Sequence, residues 1–269
     1  MALPDLLFGH ARSRHPRWYE PAGIFGVVSF RHKVRLFVQR FGIDVSRYPG
    51  FDPVHLMVRL LESYRVNVVL DVGANSGRYA VELRRAGYKG KVISFEPLSE
   101  PFSILSAQAA SDPLWETLQY AIGDGNGTVT LNTAANAGES SSILPMLSAH
   151  MAAYPGANYI GTEEATIRTL DDLAPDILER GDRVFLKADV QGYERAVLVG
   201  ASSILQDHCV GMQLELSLVP LYEGGMLYRE ALDIADKLGF SLMGLIPGFT
   251  DLRNGQLLQA DGIFMVDKD

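Results

Sequence analysis

The sequence predicts an α/β fold, a doubly wound and mostly parallel sheet, and three observations carry that reading. Short β-branched runs (NVVLD, KVISFE, TLQYAI, RVFLKAD and VGMQLEL) alternate with amphipathic stretches such as YAVELRRAG and YERAVLVGASSIL. Strands joined by crossover helices give that alternation. A glycine-bearing turn, residues 71–77 (DVGANSG), follows the first run and opens a helix. The last segment, GFSLMGLIPGFTDLRNGQLLQADGIFMVD, reads as a strand hairpin that adds an antiparallel strand at the C-terminal end.

Taken in order, residues 1–65 form an N-terminal helical extension and residues 66–269 the main domain. Val34, Phe37, Val38 and Phe41 recur at helical spacing, and Gly42 stops that helix. Asp52 and Pro53 make a cap and first turn, followed by Val54, Met57, Val58 and Leu61 on one face. Within the domain, GDGNGTVTLN reads as a turn leading into an extra strand. Residues 132–161 form a long loop rich in small residues, of the kind that is either a functional lid or mobile.

Composition narrows the class. The 269 residues are 47% hydrophobic and 21% charged, enough for a globular core. No apolar run approaches the roughly 18–20 residues that span a bilayer, so no transmembrane segment is expected. Cys209 is the single cysteine, which rules out an intrachain disulfide or a CxxC site and points to a cytoplasmic protein. The net charge of −8 is uneven: residues 1–50 hold eight Lys/Arg against three Asp/Glu, and the remainder is strongly acidic. An acidic body argues against nucleic acid as partner. The basic front end, with Trp18, Tyr19, Phe25 and Phe30, suits either a peripheral contact with an anionic membrane or, more plainly, a solvated helical extension. Its helices also offer a homodimer contact.

The turn after NVVLD carries the chemistry. Gly73 permits a backbone conformation barred to other residues and lets a ligand lie against the chain, and Gly77 permits close approach of helix and strand. Asp71, at the strand end, can accept a hydrogen bond from an ammonium group. The spacing is DxGxxxG, unlike the GxGxxG of pyrophosphate-binding turns, and favours a nucleoside without a diphosphate: S-adenosylmethionine. Glu96 ends the next strand, where a carboxylate can take both ribose hydroxyls. NAD enzymes place an acid there too, so an NAD-dependent oxidoreductase is the nearest competing reading.

The chain resembles the FkbM family of methyltransferases over residues 66–269. Seven blocks carry the likeness in order: LDVGANSGRYA, FEP, AIGDGNGTVTL, TLDDL, LKADVQGYERAVLVGA, LELS and ADGIFMV. In the fifth, Ala188 replaces the family's isoleucine, a packing change behind the strand. The resemblance implies a seven-stranded, Rossmann-like sheet, S-adenosylmethionine as cofactor, and O-methylation of a carbohydrate or glycolipid acceptor. The expected cofactor contacts are Asp71, Gly73, Ala74, Asn75, Gly77, Tyr79, Glu96, Pro97, Ala121, Ile122 and Asp189. A non-catalytic scaffold module of the same fold is the remaining alternative.

A sugar hydroxyl is a poor nucleophile at neutral pH, so a base or a metal should assist transfer. Asp189 ends RVFLKAD and can contact the acceptor, ligate a cation or cap the following helix. Glu215 ends GMQLEL at the same rim, or pairs with a sheet-edge cation. Together the two carboxylates could hold Mg²⁺ with water. His150, in the long loop, is the third catalytic candidate, an imidazole that titrates near neutrality. Lys187 is expected on the far face in a structural role, and residues 191–193 in a turn. Tyr222 and Glu223 are expected to line the acceptor pocket, and Asp261 to sit near the site or cap a turn.

Overall fold

A computed structural model of the chain describes residues 52–267 together with Val34, Phe37, Val38, Arg40 and Phe41. Two compact units divide it, Met1–Gly50 and Phe51–Asp269. In the first, Val34, Phe37 and Val38 are helical, Phe41 lies in a turn, and the Phe37 and Phe41 rings meet edge-on at 5.4 Å. The expectations about Trp18, Tyr19, Phe25, Phe30 and the stop at Gly42, and hence about membrane or dimer contacts there, lie outside the described residues.

The second unit opens with α1 (Pro53–Ser63). Asp52 Oδ1 accepts the N–H groups of Val54 and His55, both at 3.0 Å, and Pro53 sits where a missing N–H costs nothing. Met57, Val58 and Leu61 are buried, and this helix belongs to the same compact unit as the sheet. The chain continues through β1 (Val68–Val72), α2 (Arg78–Arg85), β2 (Lys91–Phe95), α3 (Ser99–Ala109), β3 (Trp115–Leu118), β4 (Ala121–Ile122) and β5 (Gly127–Ala134). After α4 (Ser148–Ala153) come β6 (Tyr159–Arg168), α5 (Leu170–Ile177), β7 (Val184–Ala188), α6 (Glu194–Val199), α7 (Ser202–Asp207) and β8 (Cys209–Ser217). The C-terminal part holds α8 (Tyr228–Lys237), β9 (Phe240–Pro247), β10 (Thr250–Asp251), β11 (Gln256–Leu257) and β12 (Gln259–Val266).

Seven strands form the main sheet in the order β3-β2-β1-β7-β8-β12-β9. The first five run parallel, and β12 enters antiparallel between β8 and β9. Alternation along each strand feeds two cores. Leu70, Ile93 and Leu186 pack with α5, α6, α7 and α8, whereas Val69, Val92 and Phe185 pack with α1, α2 and α3. Helices on both faces explain why these strands read as continuous apolar runs. Among the described residues no helix is long and apolar enough to cross a membrane.

Three elements differ from expectation. TLQYAI is two strands: the Leu118 carbonyl accepts both the Glu96 and the Tyr120 N–H, the chain bends, and β4 joins β6 and β5 in a separate small sheet. YERAVLVGASSIL is two helices that meet at Gly200, where a Cβ would lie 1.9 Å from the Gly123 carbonyl oxygen. The long loop is shorter than residues 132–161, since its ends belong to β5 and β6 and α4 forms within it.

Candidate functional site

A cavity of about 940 Å³ opens at the carboxyl ends of β1, β2, β7 and β8. It sits where the chain leaves β1 for β2 on one side and later returns through β7 on the other, the switch point of an open α/β sheet. Its volume is near the top of the ~300–1,000 Å³ common for ligand sites.

The turn after β1 forms one wall. Phe95's carbonyl accepts the N–H groups of Gly73 and Ala74, both at 3.0 Å. Gly73 is left-handed (φ +75°), and a Cβ there would come within 1.9 Å of the Asp189 carbonyl oxygen. The missing side chain therefore serves the crossing of two strand ends as well as the cavity. Asn75, also left-handed, donates its N–H to Glu96 Oε2 at 2.8 Å, and Leu98 donates to Oε1 at 2.9 Å. Burial pushes the Glu96 carboxyl up to about 7 against these two backbone bonds.

Of the expected cofactor contacts, Gly73, Ala74, Asn75, Tyr79, Glu96, Pro97, Ala121, Ile122 and Asp189 line this cavity. Gly77 does not: a Cβ on it would meet Leu105 and Trp115 at 2.8 Å, so it serves the close packing of helix on sheet. Asp71 does not either. It is fully buried behind the cavity, with Lys187 Nζ 3.2 Å from Oδ1 and the Ser94 hydroxyl donating to Oδ2 at 3.2 Å. The expectation that Asp71 meets an ammonium directly is thereby corrected, because its charge is already partnered on the neighbouring strand. Lys187 is corrected with it. Residues two apart on a strand share a face, and Nζ lies 3.6 Å from Asp189 Oδ2 and donates to the Gly73 carbonyl at 3.0 Å. Burial acts to lower the Lys187 pKa, but Asp71 and Asp189 outweigh it and hold the ammonium charged.

The opposite wall carries the candidate catalytic groups. Gln191 donates from Nε2 to Asp189 Oδ1 and to Glu215 Oε2, each at 2.9 Å, and Gln259 donates to the same Glu215 oxygen at 2.6 Å. Protein encloses Glu215 except toward the cavity, and that burial, with Asp189 next, raises its pKa well above the ordinary carboxylate range. Burial also brings Asp261, which lines the cavity, to about 6.

His150 projects from α4 into the cavity lining and is 2% exposed. Its ring packs between Tyr222, edge-on at 5.3 Å, and Phe249 at 5.0 Å. Nε2 lies 3.3 Å from the Ser140 hydroxyl, while Nδ1 is buried with no hydrogen-bonding partner in the protein. Burial lowers its pKa to about 4, so the imidazole is neutral at pH 7. Tyr222 supports this wall from behind, whereas Glu223 is exposed and outside the cavity.

The donor set gives no support for Mg²⁺. Among the described residues no group of three or more His, Cys, Asp or Glu side chains is arranged to hold a metal. The expected pair, Asp189 and Glu215, is bridged by the Gln191 amide instead.

Sequence reasoning passed over Gln191, Gln259 and Ser140 as site residues. Gln191 lies two residues beyond a strand end in a motif already singled out, and that position was its signal. Gln259 and Ser140 lie in segments whose placement depends on tertiary contacts.

A family model, the Methyltransferase FkbM domain, matches residues 71–242. The 2-O-methyltransferase NoeI of Sinorhizobium fredii is 28% identical over 243 residues, 86% of this chain and 96% of that protein. Among solved structures, magnesium protoporphyrin IX methyltransferase (ChlM) from Synechocystis PCC 6803 with bound SAM aligns at 14% identity and a TM-score of 0.45, covering 90% of this chain and 86% of that one. A SAM-dependent methyltransferase from Aquifex aeolicus aligns at 14% identity and a TM-score of 0.38, covering 77% and 88%. The family match spans well over half of the sequence, and the chain belongs to the FkbM family of S-adenosylmethionine-dependent methyltransferases.

Proposed function

We propose that the chain methylates a hydroxyl oxygen of a carbohydrate acceptor, with His150 as the base. One observation carries the reading: a neutral, buried imidazole with an unpartnered Nδ1 lines the same cavity as the turn that begins at Gly73. Similarity to a 2-O-methyltransferase supports an oxygen acceptor.

The bound cofactor supplies an electrophilic methyl group on a sulfonium that departs as a neutral thioether. The chain's own tasks are to align, to exclude water and to take one proton. Glu96 would hold the ribose hydroxyls, its orientation set by the Asn75 and Leu98 N–H groups. Gly73, Ala74, Asn75 and Tyr79 would border the methionine side, and Pro97, Ala121 and Ile122 the nucleoside side, as their places on the cavity wall allow.

On the acceptor side, Glu215 and Asp189 bind hydroxyls through the oxygens that Gln191 leaves free. His150 with its proton on Nε2, directed at Ser140, leaves Nδ1 as a lone pair, and the ring or the Phe249 packed on it must shift for the acceptor hydroxyl to reach that covered atom. The oxygen–hydrogen bond breaks toward Nδ1 as the carbon–oxygen bond forms. General-base assistance of this kind contributes roughly 10²–10⁴-fold.

Two titrations and one assay test the proposal. The protein should bind S-adenosylhomocysteine and not NAD, and should transfer labelled methyl groups to neutral glycosides. His150→Gln should keep the affinity for S-adenosylhomocysteine and lose turnover by roughly that same factor. Full activity in the variant would remove His150 as base, and cofactor binding with no transfer to any glycan would favour a scaffold.

A further inference from the structure

Gln191 is held at three points in the cavity, and its role in the site has not been assigned. Its backbone is left-handed (φ +55°), a conformation that non-glycine residues hold only when surrounding contacts impose it. The Ser142 hydroxyl supplies one such contact, donating to the Gln191 carbonyl at 2.8 Å, and left-handed Gly192 follows. The side chain is held as firmly. Its amide nitrogen, with two hydrogens, lies 2.9 Å from an oxygen of Asp189 and 2.9 Å from an oxygen of Glu215. Its Oε1 accepts the Tyr222 hydroxyl at 2.6 Å. This amide orientation gives the Asp189 oxygen a donor, whereas the flipped group would set a carbonyl oxygen against it.

A hard divalent cation bridging two carboxyl groups takes one oxygen from each and stands between them. The Gln191 nitrogen stands in that position and makes the same two attachments with hydrogen bonds. We propose that Gln191 is a positioning residue that does the work of a bridging cation: its amide fixes Asp189 and Glu215 relative to each other and turns their remaining oxygens into the cavity. The acceptor side is then complete without a divalent ion. This inference rests on the proposed function only in taking Asp189 and Glu215 as the acceptor-facing pair.

The test needs no acceptor. The full chain and Gln191→Glu are titrated with MnCl₂ alone, followed by calorimetry and by the electron paramagnetic resonance of free Mn²⁺, with cooperative thermal unfolding as the control for folding. Wild type should show no saturable Mn²⁺ site. Gln191→Glu, which replaces the two donors with a third carboxylate, should gain one equivalent that Asp189→Asn removes. One equivalent bound by wild type and lost in Asp189→Asn would overturn the proposal, as would no gain in a folded Gln191→Glu. Should that variant not fold, the wild-type amide gives a second reading. Both Gln191 Nε2 protons should be exchange-protected and shifted downfield in nitrogen-15 correlation spectra, assigned by their loss in Gln191→Met. A freely exchanging proton at either position would contradict the bridge. Methylation of an acceptor other than a sugar would overturn the proposed function and leave these results standing.

Discussion

At His150 the enclosure that keeps the imidazole neutral also makes the fold sensitive to acid. The ring's pKa is about 4 when folded, against 6.5 for the free side chain. Between those values the unfolded chain binds more protons than the native one, so stability rises with pH across that window. The contribution is complete above pH 6.5 and is lost as pH falls toward 4. Denaturant unfolding of wild type and His150→Asn should therefore give a stability difference that is flat above neutrality and shrinks steadily from pH 6.5 to 4. A difference that stays constant throughout would mean that the ring titrates normally. The same residue shows how far a sequence reaches at this scale. The long loop drew attention to His150, but the lone Nδ1 depends on Tyr222 and Phe249 closing around the ring, and nothing local encodes that. Asp71 shows the opposite failure. Its strand-end position was legible, yet the register that sets Asp71 opposite Lys187 is a property of the paired strands and decides where its charge goes.

Elements meet at glycines whose missing side chains are spaces already taken. A Cβ at Gly200 would overlap the Gly123 carbonyl, whereas Gly125, in the same turn before β5, has nothing within 4 Å. Gly200→Ala should lower stability by about 1–3 kcal/mol, and each kcal/mol is about 2–4 °C in Tm for a domain of this size. Gly125→Ala should leave Tm nearly unchanged. Equal Tm values for the two variants would contradict the close packing of the α6–α7 corner on the β4–β5 turn. That corner was unreadable beforehand, because YERAVLVGASSIL keeps helical spacing across Gly200 and only the partner backbone breaks it. The parallel strands were readable for the converse reason. Both faces of the sheet are covered by helices, so β1, β2, β7 and β8 are mostly apolar and stand out against their flanks.

Across the whole molecule, the division at Gly50 and Phe51 predicts that residues 51–269 fold without the preceding segment. A chain beginning at Phe51 should unfold cooperatively and bind S-adenosylhomocysteine with the affinity of the full chain. A start at residue 66, which removes α1 with the buried Met57, Val58 and Leu61, should be markedly less stable. Indistinguishable stability of the two truncations would show that α1 is not part of the unit. The order of the blocks along the sequence made the architecture legible, since each strand–turn–helix unit carries its own pattern. The acceptor wall was less so, being assembled from the ends of β7 and β8, α4 and β12, more than 100 residues apart in the chain.

Methyl transfer to a carbohydrate oxygen is read most directly from the fate of the methyl group itself. Wild type should be incubated with S-adenosylmethionine carrying a deuterated methyl and a panel of neutral glycosides, and the labelled product located by fragmentation mass spectrometry. The account predicts an alkali-stable methyl ether on a sugar oxygen, formed without added divalent metal and lost in His150→Gln. A label on nitrogen, an alkali-labile methyl ester, or transfer undiminished in His150→Gln would contradict it.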